Sequence, residues 1–287
     1  MPLNQQAIEL NETIKSTNPH VFNLLSERGR AIFFPKKGIL SQTADAQNCK
    51  INATIGSALE DDNVIMHLES IARNIHLSPQ DIFPYAKSPG VPEIRKKWKE
   101  LMVSKNPSLS GASISLPLVT SALTHGLSMI GYLFVNPEDA IILPDLYWGN
   151  YRLIFEKTWH GKLSTYPTFT ESGGFNCAGL KQKLGETSTG KKIVLLNFPN
   201  NPTGYTPTVE EAHAIIDILV ESAEAGNEIV VIFDDAYFGL STNRELSQNH
   251  YSPISQMFTN AYSLLKLTVQ PRRSMYGDSA LALLRSV

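Results

Sequence analysis

The chain has 287 residues, 42% of them hydrophobic and 18% charged, with a formal net charge of −2. That is enough for one large domain or two small ones with a real core, and the near-neutral balance gives no reason to expect nucleic acid or an acidic membrane as partner. Cys49 and Cys177 lie far apart without metal-ligand spacing, which argues against a disulfide framework or a metal site and for a reducing compartment.

In chain order, the opening MPLNQQAIELNETIK lacks the basic region and apolar core of a signal peptide. The run MIGYLFV is far too short to span a bilayer, so the expectation is a soluble, cytoplasmic protein with no membrane partner. Residues 1–90 read as an irregular amino-terminal segment. From Pro92 the pattern sharpens: PEIRKKWKELMVSK places Ile94, Trp98, Leu101 and Met102 on one helical face behind a first-turn proline. Short apolar runs then alternate with helical stretches. SISLPLVTS, AIILPD, KLSTYP, KKIVLLNFP and EIVVIFDDAY read as strands, with helices at LTHGLSMIGYLF, WGNYRLIFEKTW, AGLKQKLGE and TPTVEEAHAIIDILVESA. Thr208 and Glu211 have the spacing of a capping box for the last of these helices. Apolar strands separated by helices predict an α/β fold with a mainly parallel sheet buried on both faces. Ligands of such sheets gather at the carboxyl ends of the strands.

Two motifs fall at such ends. NFPNNPTGY follows one strand, and its plain reading is a turn, since Asn-Pro and Thr-Gly are ordinary turn formers. FDDAY ends the next strand, so the two motifs should lie side by side. Asp234 alone would read as a strand-end acid or a helix cap, and Trp148 as a core aromatic. Strand alternation points Asp235 away from Asp234, and it receives no catalytic role.

Together with PDLYWGNY, SALTHGL and YAKSPG, these motifs resemble the class I and II aminotransferases, pyridoxal-phosphate enzymes of the aspartate aminotransferase fold. The resemblance spans roughly Tyr85 to Leu240. It implies a three-layer, mainly parallel α/β large domain over residues 91–240, incomplete at its carboxyl side. Residues 1–90 would form an arm and part of an incomplete small domain. It also implies that Asp234 pairs with the pyridine nitrogen of pyridoxal 5'-phosphate and that Asn201 and Tyr237 contact the phenolic oxygen. Trp148, with Tyr147 second, would stack on the ring, and the amides of Ala122, Leu123 and Thr124 would hold the phosphate. Ala122 and Leu123 depart from the small or glycine residues usual there. Tyr85 would reach the phosphate of the neighbouring subunit in a homodimer. Amino acids and 2-oxo acids would be the substrates, and the arginine for the substrate carboxylate has no counterpart that can be placed on this chain.

An aminotransferase also needs a lysine that holds the cofactor as a Schiff base and shuttles the proton. The family's pattern is Lys-x5-Gly-x-Arg, downstream of the acid–tyrosine strand. Lys266 is the only lysine after Asp234, but position 272 is Arg and position 274 is Ser, so it fails the pattern and reads as an ordinary lysine. The genetic code offers an explanation. Joining the third base of each codon to the first two of the next, residues 267–287 permit DGATKEEYVWGFRVGFITFG, which contains the pattern; its lysine codon spans Pro271 and Arg272. The expectation is a frameshift shortly after Leu240 that makes 241–287 an aberrant, poorly ordered tail. Three functions follow: an aminotransferase whose present copy is inactive, a non-catalytic remnant or pyridoxal-phosphate-binding protein, or a carbon–sulfur lyase or synthase on the same scaffold.

Overall fold

The structure is a computed structural model that describes residues 3–33, 42, 45–46, 48–50, 54, 59–62, 64–111, 114–186 and 188–238, with the backbone of two further strands at 265–269 and 278–283. The chain divides into two compact units, Met1–Ala72 and Arg73–Val287.

In the first unit, helices α1 (Gln5–Thr17), α2 (Pro19–Leu24) and α3 (Glu27–Ala31) follow one another closely because each has a polar residue at its start. The side chains of Asn4, Asn18 and Ser26 accept the first free amides, those of Gln6, His20 and Gly29. Arg30 lies over the Phe22 ring, 4.6 Å from its centroid, and the Asn11 amide donates to the Arg30 carbonyl. A short helix, α4 (Glu69–Ala72), closes the unit.

The second unit carries α5 (Pro79–Ile82), α6 (Pro92–Lys105) and then the α/β body. In chain order that body comprises β1 (Leu118–Ser121), α7 (Ala122–Phe134), β2 (Ala140–Pro144), a π-helix (Arg152–Thr158) and β3 (Lys162–Tyr166). It continues through α8 (Cys177–Gly185), β4 (Lys191–Asn197), α9 (Val209–Glu224) and β5 (Glu228–Asp234). The strands β3-β2-β4-β5 form one sheet in that order, all parallel.

Side-chain alternation builds the layers. Ile142, Val194, Leu196, Val231 and Phe233 face α8 and α9, where they meet Leu180, Leu184, Ala212 and Ile215. The intervening Ile141, Leu143, Ile193, Leu195 and Ile232 face the opposite layer, against Leu127 and Ile130 of α7 and Ile154 and Phe155 of the π-helix. A helix layer on each side of a parallel sheet is the three-layer α/β arrangement that the resemblance implies. Each fully buried aliphatic or aromatic side chain in it contributes about 1.5–3 kcal/mol.

Two local expectations need correction. α6 forms as predicted; of its four apolar residues Met102 is buried, whereas Ile94 is 45% and Leu101 37% exposed. The strand expected over SISLPLVTS is confined to Leu118–Ser121. The helix expected at WGNYRLIFEKTW is wound as a π-helix from Arg152, and the Thr158 hydroxyl correspondingly donates to the carbonyl five residues back, at Leu153. The predicted capping box is present. The Glu211 amide donates to the Thr208 hydroxyl at 3.2 Å, and the Thr208 amide to the Glu211 carboxylate at 2.8 Å.

Beyond Leu240 the sequence shows no strand pattern, yet two strands occur there. β6 (Leu265–Val269) and β7 (Asp278–Leu283) pair antiparallel, and β7 pairs antiparallel with β1. The backbone of Lys266 belongs to β6, while its side chain and residues 270–277, where the alternate frame puts its lysine, lie outside the described residues. Among the described residues, no helix is long and apolar enough to cross a membrane. None of their His, Cys, Asp and Glu side chains form a group that could hold a metal ion.

Candidate active site

The site is built at the carboxyl ends of β4 and β5. Their register sets Asn197 directly opposite Asp234, so NFPNNPTGY and FDDAY leave the sheet side by side. Asn197 fastens the two exits together: its side-chain amide donates to the Asp234 carbonyl at 2.9 Å, and its side-chain oxygen accepts the Asn201 amide at 2.8 Å. The loop then turns so that the Asn201 side-chain nitrogen donates to the Tyr237 hydroxyl at 3.3 Å. Two of the predicted residues, far apart in sequence, are thereby brought into direct contact.

Asp234 continues the alternation of β5 and shares the face of Ile232, the side of α7 and the π-helix. There the Tyr151 hydroxyl donates to its Oδ2 at 2.5 Å, while the Ala236 amide donates to Oδ1 at 3.1 Å. The carboxyl is 1% exposed. Burial raises its pKa above the usual carboxylate range, and the bonds from Tyr151 and Ala236 oppose that shift by stabilising the anion. Tyr151 is itself fully buried, and its phenol is held well above its ordinary value, first by burial and then by the charge and hydrogen bond of Asp234. Asp235 is buried too.

Trp148 and Tyr147 lie half-buried on the cluster that contains Tyr151 and Ile232. Trp148 meets Tyr151 edge to face at 5.5 Å, whereas Tyr147 is stacked against it at 6.5 Å and accepts a hydrogen bond from Arg152. The segment carrying both rings is tied to the other loops. Asn200 donates to the Leu146 carbonyl, and the Asp145 carboxylate accepts from the amide and hydroxyl of Thr168. A second support lies behind the Asn201 loop, where the Tyr205 hydroxyl donates to the Glu211 carboxylate at 2.8 Å.

Ala122 and Thr124 are exposed, and Leu123 packs partly buried on the same cluster as Trp148. Ala122 opens α7 with φ 62°, the left-handed region that favours glycine. The substitution seen in the sequence therefore leaves the backbone in a glycine-type turn. His125, unnoticed in the sequence, receives the Ser121 amide on Nδ1 at 3.0 Å and covers part of that helix start. Tyr85 is not brought to the other residues within this chain: it is 98% exposed. Tyr151 was also missed. Its signal was present in principle, as a polar tip four residues before Phe155 in an otherwise apolar helical stripe.

Comparison with known proteins adds an independent line. The family model "Aminotransferase class I and II" matches residues 50–264. Cytoplasmic aspartate aminotransferase of Saccharomyces cerevisiae is 24% identical over 244 residues, covering 82% of this chain and 56% of the yeast protein. Aspartate aminotransferase of Sulfurisphaera tokodaii is 26% identical over 155 residues, 53% of this chain and 36% of that enzyme. Among solved structures, an aminotransferase from Anaerococcus prevotii superimposes with a TM-score of 0.73 at 24% identity, over 92% of this chain and 67% of that one. The chain thus spans only about a third to a half of these two curated relatives. With three quarters of its length matched by the family model, the chain belongs to the class I and II aminotransferases.

Proposed function

We propose that the carboxyl ends of β4 and β5 form the cofactor site of a pyridoxal-phosphate-dependent aminotransferase, acting between amino acids and 2-oxo acids. The observation that carries this reading is Asp234: a buried acid with a hydrogen-bond donor on each oxygen, three residues before Tyr237, which meets Asn201 from the neighbouring strand's loop. When bound, pyridoxal 5'-phosphate supplies an electron sink that stabilises charge left on the substrate carbon. The residues fit that group on two counts. A carboxylate secured by donors suits a protonated pyridine nitrogen, and Ala122 holds its backbone in the glycine-like turn that lets helix amides approach a phosphate.

In this reading Asp234 keeps the proton on the ring nitrogen. Asn201 and Tyr237 donate to the phenolic oxygen, and Trp148, with Tyr147 beside it, covers the ring and excludes water. The amides of Ala122, Leu123 and Thr124 hold the phosphate, and Tyr85, exposed on its own chain, serves the site of a second copy in a homodimer. A cytoplasmic location belongs to the same reading, supported by the likeness to the cytoplasmic yeast enzyme. Turnover is a separate matter. Lys266 does not have the family's Lys-x5-Gly-x-Arg context, so this chain binds the cofactor without completing amino transfer.

The test is a titration of the purified chain with pyridoxal 5'-phosphate, read by tryptophan fluorescence and by absorbance, with and without borohydride. The expected result is saturable binding that Asp234→Ala weakens at least tenfold, with no borohydride-fixed adduct on Lys266. Equal binding by the variant would overturn the site. A fixed adduct on Lys266 accompanied by amino transfer would overturn the inactivity.

A further inference from the structure

We propose that Thr168 is a positioning residue for the cofactor: through Asp145 and Leu146 it fixes the chain that carries Tyr147 and Trp148, the rings that would cover the pyridine. The inference rests on the cofactor reading above and extends it to a residue outside every motif that carries the resemblance.

The segment between β2 and the π-helix has little packing to hold it. Asp145 and Gly149 are exposed, and Leu146 is 41% exposed. Nothing lies close to where a Cβ on Gly149 would stand. Trp148 and Tyr147 rest partly buried on the cluster around Tyr151. Apolar contact is non-directional, so it does not by itself fix where a ring sits along that surface. Hydrogen bonds to the backbone that carries the rings do so, because they have preferred distances and angles.

Thr168 supplies those bonds. Its hydroxyl donates to Asp145 Oδ1 at 2.7 Å and accepts the Leu146 amide at 3.0 Å, while its own amide donates to the same Oδ1 at 2.8 Å. One side chain thereby meets both residues that lead into Tyr147 and Trp148. Pro144 and Tyr166 are partners in the sheet, and the Asp145 amide continues that ladder onto the Tyr166 carbonyl at 2.8 Å. The ladder directs the exit from β2, and the Thr168 hydroxyl fixes the turn that follows.

The anchor behind Thr168 is independent of the rings. Thr168 is buried, and its carbonyl accepts the Asn176 amide at 3.0 Å. Asn176 caps α8, accepting the Gly179 amide at 2.9 Å, and its side-chain nitrogen donates to the Pro167 carbonyl at 3.0 Å. Position therefore passes from α8 through Thr168 to the ring-bearing segment. On the other side, Asn200 donates to the Leu146 carbonyl at 3.2 Å, and its Oδ1 accepts from the amide and hydroxyl of Thr203. A displaced Leu146 would thus shift the rings relative to the loop of Asn201. The residue type matters because a hydroxyl donates and accepts at once. Serine keeps both bonds, whereas valine has nearly the same shape and keeps neither.

The experiment compares wild type with Thr168→Val and Thr168→Ser, each made also in a Trp148→Ala background. Affinity for pyridoxal 5'-phosphate is measured by equilibrium dialysis, and the circular dichroism of the bound ligand at saturation reports the surroundings of its ring. Thr168→Val should bind about fivefold more weakly, the size of one lost hydrogen bond, and alter the dichroism band. Thr168→Ser should restore the band and bring affinity to within about twofold of wild type. In the Trp148→Ala background, Thr168→Val should cost less than about twofold, because the ring it positions is gone. An equal loss in both backgrounds, or no rescue by serine, would reduce Thr168 to a residue of the fold and overturn the proposal. So would unchanged affinity and dichroism in Thr168→Val. Thermal unfolding checks that the variants are folded. If Thr168→Val is not, Asp145→Ala cuts the same latch from its exposed side, with Asp145→Asn, which keeps an acceptor, as the rescuing change. Loss of the fold in both Thr168→Val and Asp145→Ala would also overturn the proposal. Failure of wild type to bind pyridoxal 5'-phosphate would instead overturn the cofactor reading itself.

Discussion

In the proposed cofactor site the end of β5 and the start of α7 would hold opposite ends of one ligand, and they are built differently. At β5 the acid lies inside the protein, each oxygen has a donor, and the neighbouring loop is tied to the strand by Asn197. At α7 Ala122 and Thr124 are exposed, the first residue is an alanine in a glycine conformation, and the His125 side chain accepts the Ser121 amide just before the helix. One end is fixed by packing and the other by the shape of a single turn. Core burial can therefore be damaged without changing the phosphate end, and the turn can be relaxed without touching the acid.

The largest effect should come from the packed end. Phe155→Ala removes a fully buried ring that supports Tyr151 from the π-helix. It should lower unfolding stability by about 3–5 kcal/mol, measured by urea denaturation. A loss below about 1 kcal/mol would mean that the site is not held by this layer. At the other end, Ala122→Gly should act in the opposite direction. Relief of a left-handed non-glycine residue should raise stability by about 1 kcal/mol, visible as a small increase in the melting temperature. If the glycine variant is destabilised by the same amount, the turn is not strained.

The acid itself gives a prediction with a sign. Its folded pKa is raised above the ordinary 3.8, so the folded chain holds that proton to higher pH than the unfolded chain does. Its contribution to stability is complete below about pH 4 and is lost as pH rises through the folded value. The expected outcome is that Asp234→Asn gains stability relative to wild type between pH 4 and pH 7. A constant difference across that interval would show that Tyr151 and Ala236 fully offset burial. A gain would show that the fold carries a destabilised acid for its function, as binding sites commonly do.

Much of this arrangement was legible in the sequence, for physical reasons. Doubly buried strands leave long apolar runs, so β2, β4 and β5 could be read directly, and adjacency of β4 and β5 followed from their order in a parallel sheet. Asp234 alone reads as an ordinary strand-end acid, and it was singled out by the resemblance carried by FDDAY together with NFPNNPTGY. Tyr151 was hidden because a tyrosine in an amphipathic helix looks like any core aromatic until the strand bearing its partner is placed. Ala122 was noticed by residue type, but its left-handed turn is a backbone property that composition does not encode. Ile94 and Leu101 share the helical face read from the sequence and are exposed, because periodicity marks a face without saying what covers it.

The smallest expected effect concerns the support behind Asn201. Tyr205 ends the NFPNNPTGY loop, and its hydroxyl donates to Glu211, the same carboxylate that closes the capping box of α9. Burial first, and then that hydrogen bond to Glu211, push its phenol from 10 up to about 12. Because the folded value lies above the unfolded one, the contribution is fully present below pH 10 and is lost as pH rises through about 12. Tyr205→Phe should therefore be less stable than wild type at pH 9, and the gap should narrow by pH 11.5 in parallel urea titrations. Tyr151 and Tyr166 also titrate late, but both proteins contain them, so their effects cancel in the difference. A gap that stays constant would mean that Tyr205 supports the loop through its ring alone. A gap that closes would show that the hydroxyl couples the Asn201 loop to the start of α9, extending the fixed end of the site one layer beyond the residues that would touch a ligand.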